Sequence, residues 1–177
     1  MTTQSLWLKT YRRRSGREVQ ICIASPHQFV LDRQQELLPD WNVAISYLIL
    51  ILQQSVVSLD SQSERVATEK DFLRAKFISI GSSLISKLQN LGYQSELFDP
   101  RTGYPLLTRS RLALDDNAVV RAILNYPVTS SGQCCLITHP VWKTNVYPST
   151  IATSAPKKAI VASLSPIIAD FERIFEI

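Results

Sequence analysis

Apolar and polar residues alternate along two short stretches near the start of the chain, Leu6 to Tyr11 and Glu18 to Ala24, with Arg12 to Arg17 and its Gly16 between them. A period of two belongs to a strand with one face toward a core, so the pair reads as a β-hairpin or two neighbouring strands. The stretch from His27 to Leu38 follows Pro26 and ends at Pro39, which suits a short helix or an irregular segment. Asn42 to Gln54 is apolar almost throughout, and periodicity alone does not separate a buried strand from a buried helix in such a run. Val43, Ile45, Tyr47, Ile49 and Ile51 fall on alternate positions, which favours an inner strand over Val43 to Leu52. Val56 to Arg65 is polar and reads as a connection.

The pattern then changes period. Leu73, Phe77, Ile80, Leu84, Leu88 and Leu91 recur at helical spacing, Thr68 to Asp71 resembles a capping box with Asp in place of Glu, and Gly92 is a natural stop. A helix from Glu69 to Leu91, packed on the sheet through that stripe, is expected. Tyr93 to Phe98 reads as a strand and Asp99 to Gly103 as a structural turn, because Pro100 fixes φ, Asp99 can cap and Gly103 tolerates positive φ. Asp115 or Asp116 caps a second helix running to about Tyr126, with Val119, Ala122 and Ile123 inward. Gln133 to Val141 and Thr144 to Ile151 read as two strands joined near Trp142 and Lys143, the first of them an inner strand. Ser165, with Pro166 at the first helical position, opens a terminal helix carrying Ile167, Ile168, Phe171, Ile174 and Phe175. Strands and helices in this order predict a mixed α+β domain with a mostly antiparallel sheet packed with helices.

Length and composition add bounds. The chain has 177 residues, enough for one domain over 1–177, and is 45% hydrophobic and 19% charged, an ordinary globular mix. The first residues lack a basic stretch followed by an apolar one, so neither a signal peptide nor a mitochondrial presequence is expected. The longest apolar run is too short to span a bilayer, and no membrane role is expected. The net charge of +4 is modest, and much of it sits in Arg12, Arg13, Arg14 and Arg17. One basic cluster on a turn falls short of the broad basic face that nucleic acid requires, so it is read as a solvated hairpin tip, with an anion contact as the alternative.

The chemistry is thin. Among the five glycines there is no phosphate-binding loop, and His27 and His139 are the two histidines. Zinc would need more Cys and His than the chain supplies. The three cysteines, Cys22, Cys134 and Cys135, are an odd count and read as free thiols of a reducing, cytoplasmic compartment. Adjacent residues on a strand point to opposite faces. One thiol of the Cys134–Cys135 pair can therefore be buried while the other faces a pocket, a partner or solvent. His139 would share a face with Cys135 but lie roughly 13 Å from it along a regular strand, so a Cys–His nucleophile is disfavoured. Packing is the ordinary role for all three side chains and for Trp142.

Three stretches carry a resemblance. They are LGYQSELFDPRTG from Leu91 to Gly103; Gly132, Gln133, Cys134 and Cys135 followed by His139 and Trp142; and WKTNV from Trp142 running on to Ser149 through Thr153. Their order and spacing resemble the methylmalonic aciduria and homocystinuria type D (CblD-like) family, over roughly residues 40 to 155. Gln133 is an insertion against the family pattern, and Lys143 and Asn145 stand where Gly and His are expected. The resemblance implies an α+β fold on a nitroreductase-like scaffold that binds no flavin or other cofactor alone. It implies a non-enzymatic adaptor in cobalamin trafficking. The adaptor docks a CblC-type cobalamin-processing protein or a cobalamin-dependent enzyme and offers a thiolate to cobalt. Cys134, the first of the pair, is the implied ligand, with Cys135, His139 and Trp142 around it. A flavin-dependent reductase on the same scaffold is the alternative, and a homodimer remains open.

Overall fold

Strand β3, Tyr47–Gln54, is buried on both faces, and that explains its continuous apolar sequence. Leu48, Leu50 and Leu52 enter one core, while Ile49 and Ile51 enter another on the opposite side of the sheet. In this computed structural model, which describes residues 6–132 and 134–174, one five-stranded antiparallel sheet therefore separates two helical layers. Its order is β1 (Trp7–Arg12), β2 (Glu18–Ala24), β3, β7 (Val146–Thr153) and β4 (Ser95–Leu97). The mixed α+β class and the hairpin of β1 and β2 are as the sequence predicts. The inner strand starts at Tyr47, not Val43, and β4 is only three residues long.

Helix α3, Glu64–Asn90, and the C-terminal helix α5, Lys157–Ile174, cover one face. Leu73, Phe77, Ile80, Leu84 and Leu88 of α3 are buried as expected, but Leu91 is exposed because the helix ends before it. The helix also begins earlier than the Thr68 box. Ser63 is its cap, accepting from Val66 N at 3.3 Å, so Thr68 to Asp71 lie inside the helix. Pro166 likewise does not open α5. It sits inside the helix on an exposed face, and the chain enters at Pro156, whose carbonyl accepts from Ala159 N and Ile160 N. Proline favours a first turn, and the sequence holds two candidates for one helix. Of the apolar residues assigned to that helix, Ile167 is buried, whereas the side chains of Phe171 and Ile174, and Phe175 as a whole, lie outside the described part.

The other face carries two short helices, α1 (Gln28–Asp32) and α2 (Gln34–Leu37), and helix α4 (Asp116–Leu124). Asp115 caps α4 by accepting from Asn117 N and Ala118 N, and Asn125 at φ 55° closes it two residues before the expected end. Val119, Val120 and Ile123 of α4 are buried in this second core. Beside α4 stands a separate ribbon of β5 (Val128–Ser131) and β6 (Cys134–Ile137). The reading of Gln133 to Val141 as an inner strand is thus corrected. The segment is half that length as a strand, pairs with β5 and never joins the main sheet.

The two edges of the sheet differ. The β4 edge is covered by the following loop, with Leu106 N donating to Leu97 O at 2.9 Å and a bridge between Phe98 and Pro105. The buried Glu96 carboxylate holds that loop, accepting from Leu106 N, Leu107 N and Thr108 Oγ1. The Asp99 turn is present. Gly103 has φ 75°, Asp99 Oδ1 accepts from Arg101 N at 3.0 Å, and Arg74 grips both carboxylate oxygens at 2.7 Å. At the opposite edge β1 has no outer neighbour among the described residues.

The basic cluster is a solvated tip only in part: Arg12, paired with Glu18, and Arg14 are exposed, whereas the other two arginines are drawn inward. Arg13 is buried and donates to Gln53 Oε1, Arg17 pairs with Glu69, and Arg17 and Lys76 both lie over the Phe72 ring. The hairpin turn folds back onto α3. Burial and the neighbouring Arg17 bring Arg13 down to about 10, and burial with the same arginines brings Lys76 down to about 8.

Candidate functional site

The ribbon is an antiparallel hairpin in which Ser131 pairs with Cys134, Ser130 with Cys135 and Val128 with Ile137. Gly132, at φ 59°, supplies the left-handed residue that so tight a turn requires. The period of two then places the adjacent thiols on opposite faces, as expected. Cys134 is half-buried and lies at the end of the ribbon. Cys135 is exposed and lines a groove of about 570 Å³ between α1, α4 and the ribbon. Phe29, Asn117, Arg121, Asn125 and Val128 share that groove. Cys22 is fully buried in the second core, and burial pushes its thiol up to about 12, so it is a packing residue.

His139 and Trp142 sit at the foot of the ribbon, both buried. They enclose a tight turn in which His139 N donates to Lys143 O at 2.8 Å and Lys143, at φ 55°, donates back from its N to His139 O at 3.0 Å. The imidazole Nδ1 accepts from Val141 N and Trp142 N, each at 3.1 Å. The ring stacks on Trp142 at 3.9 Å and meets the edge of Tyr126 at 5.3 Å. A ring that accepts two backbone N–H groups is neutral with its proton on Nε2. Burial lowers its pKa to about 4 despite the pull of Glu18. Nδ1 is therefore committed to the turn and Nε2 has no hydrogen-bond partner, so no described contact lets His139 activate either cysteine. Trp142 Nε1 donates to Glu18 Oε2 at 2.9 Å, which pins the turn to β2 and holds the Glu18 carboxyl below its ordinary range.

Helix α4 is fastened beneath the ribbon. Thr150 Oγ1 of β7 donates to Asp116 Oδ1 at 2.5 Å, and burial of that carboxyl raises its pKa to about 7. One residue on, Asn117 Nδ2 donates to the backbone carbonyl of Cys135 at 2.8 Å. The sequence signalled the thiols, His139 and Trp142, but not Asn117, Arg121 or Asn125. Only the packing of α4 against the ribbon brings these three to the groove. Among the described residues no three His, Cys, Asp or Glu side chains converge as a metal site, and no helix is long and apolar enough to cross a membrane.

The family model of the methylmalonic aciduria and homocystinuria type D protein matches residues 3–165, from before β1 into α5. The chain belongs to that family. Among relatives of the type D family, the cobalamin trafficking protein CblD of Mus musculus is 27% identical over 124 residues, which is 68% of this chain and 41% of the mouse protein. The human CblD protein is 27% identical over 135 residues, covering 74% of this chain and 45% of the human one. The rat protein is 26% identical over 124 residues. The chain spans less than half the length of these type D relatives. The match covers the ribbon, the thiol pair and the Trp142 turn.

Proposed function

We propose that this chain is a non-catalytic adaptor in cobalamin trafficking. It docks a cobalamin-carrying partner, a processing protein of the CblC type or a cobalamin-dependent enzyme, and offers the thiolate of Cys134 to the cobalt. The observation that carries this reading is the position of the thiol pair at the end of a ribbon that stands outside the main sheet. A corrin is broad and flat, and a thiol at the end of a ribbon is suitably placed to approach its metal. Cys134 is next to the turn, and its side chain lies on the ribbon face away from the α4 groove. Thiolate is a soft ligand and suits a cobalt centre that has lost its upper ligand. His139 and Trp142 serve from below by fixing the foot of the ribbon. No cofactor is needed on the adaptor itself, since cobalamin arrives as cargo. A reducing compartment such as the cytoplasm keeps the pair as thiols.

The test is the visible spectrum of cobalamin on a candidate processing protein, titrated with this chain. The wild type and Cys135→Ser are expected to produce a new cobalt–thiolate band, and Cys134→Ser to produce none. A Cys134→Ser spectrum identical to the wild type would overturn the assignment.

A further inference from the structure

We infer that Asn117 is a positioning residue that sets the orientation of the Cys134–Cys135 pair. The inference rests on the adaptor reading for its purpose, but not for its geometry. Each strand of the ribbon is four residues long, and an isolated two-stranded hairpin is marginal in water. Its foot is well held. Ile137 is buried in the core of α1, α2 and α4, Thr138 N donates to Pro127 O at 2.8 Å, and the His139 turn is pinned to β2 through Trp142. Above it Leu136 rests on a smaller cluster of Leu59, Val66, Leu73 and Tyr147, and Cys134 and Cys135 themselves belong to no core.

Alternate residues of an antiparallel ladder turn their N–H and C=O groups away from the partner strand. The Cys135 carbonyl is one that looks outward, and it receives Asn117 Nδ2 at 2.8 Å. Among the described residues this is the hydrogen bond that ties the cysteine end to the rest of the domain. The donor stands on a firm base. Asn117 is the second residue of α4, whose start is capped by Asp115 and anchored to β7 by the bond from Thr150 to Asp116. A side chain held there fixes the twist and height of the ribbon end, and so the direction in which each thiol points. The carbonyl belongs to Cys135, but the adjacent Cys134 turns with it.

The experiment compares Asn117→Ala, Asn117→Asp and Asn117→Gln with the wild type. Aspartate keeps the size of the residue and suits the first turn of a helix, but has no N–H to donate. Timed alkylation with iodoacetamide, followed by peptide mass mapping, gives the ratio of the Cys134 and Cys135 rates. Loss of one such hydrogen bond is expected to change that ratio about fivefold, in the same direction for Ala and Asp. Gln, which keeps the donor on a longer arm, is expected to restore part of it. The urea midpoint of Asn117→Asp should stay at the wild-type value, so the changed ratio would not be a stability effect. An unchanged ratio in both Ala and Asp overturns the inference, as does a change in Asp alone, which would mark the effect of charge. The cobalamin spectra form a separate arm. If the wild type gives no cobalt–thiolate band while the ratio still shifts, the adaptor reading fails and the role of Asn117 stands. If the wild-type band is present and the ratio does not move, the reverse holds.

Discussion

Gly81 lies in the middle of α3, where a glycine should be a weakness. Replacing it with alanine in an exposed helix interior gains about 1 kcal/mol. Here the gain is opposed. A Cβ at position 81 would overlap Leu97 Cδ2 of β4 and come within 3.4 Å of Ile151 Cδ1 of β7. Both partners are in the core, Leu97 1% and Ile151 0% exposed, so neither can swing aside into solvent. Overpacking of this kind costs about 1–3 kcal/mol. Gly81→Ala should therefore destabilise the domain by about 1 kcal/mol net, against the helix scale. The decisive variant adds Leu97→Val, which removes both δ-carbons and adds one γ-methyl, at a cost of its own of about 1 kcal/mol. In that background Gly81→Ala should turn stabilising, because the clash is gone and the helical gain remains. Urea unfolding followed by far-UV circular dichroism measures all four proteins, and the coupling should be about 2 kcal/mol. If Gly81→Ala stabilises the wild type as much as it does Leu97→Val, α3 does not approach β4 as described.

Other outcomes follow from the same contacts. Burial raises the Asp116 carboxyl to about 7, so the folded chain keeps a proton that the unfolded chain gives up. Stability should decline as pH rises from about 4 to about 7, and urea midpoints of Asp116→Asn should lose that decline. Asp99 is shifted the other way, chiefly by Arg74, so its contribution is present above the ordinary carboxylate range and is lost as pH falls through its own lower value. Asp99→Asn should cost about 1–2 kcal/mol at pH 7, discounted because Arg74 is partly exposed, and should flatten the acid limb of the urea curve. His139, lowered to about 4 by burial, adds stability above its unfolded value of about 6.5 that disappears on acidification, and its ring resonances should not titrate between pH 6 and 8. Alkylation should mark Cys135 before Cys134, and reach Cys22 only on unfolding; modification of Cys22 in the native protein would contradict its place in the core.

Periodicity exposes what is local. The hairpin, the α3 stripe and the opposed faces of Cys134 and Cys135 follow from repeats of two and 3.6, and they were legible. Sheet membership is not local. The residues around Cys134 read as a strand, but nothing in them says whether the partner is the main sheet or β5. Strand β5, with Thr129 and Ser130 exposed, has no apolar alternation to announce it. The N-termini of α3 and α5 differ from the sequence expectation because each region offers two valid starts, Ser63 or Thr68 and Pro156 or Pro166, and tertiary packing chooses between them. The roles of Asn117 and of the basic hairpin turn were invisible for the same reason, since Asn117 and Cys135 are 18 positions apart and Arg17 and Glu69 are 52 apart.

The unequal edges of the sheet limit how copies of this domain can join. Strand addition needs a free row of backbone groups on each participant. The β4 side has already spent its row on the loop held by Glu96, whereas the β1 side, among the described residues, has not. A sheet with one closed and one open border can be extended once. Two copies meeting β1 to β1 would leave only closed borders outward, so growth by this route stops at a pair and cannot run on into a filament.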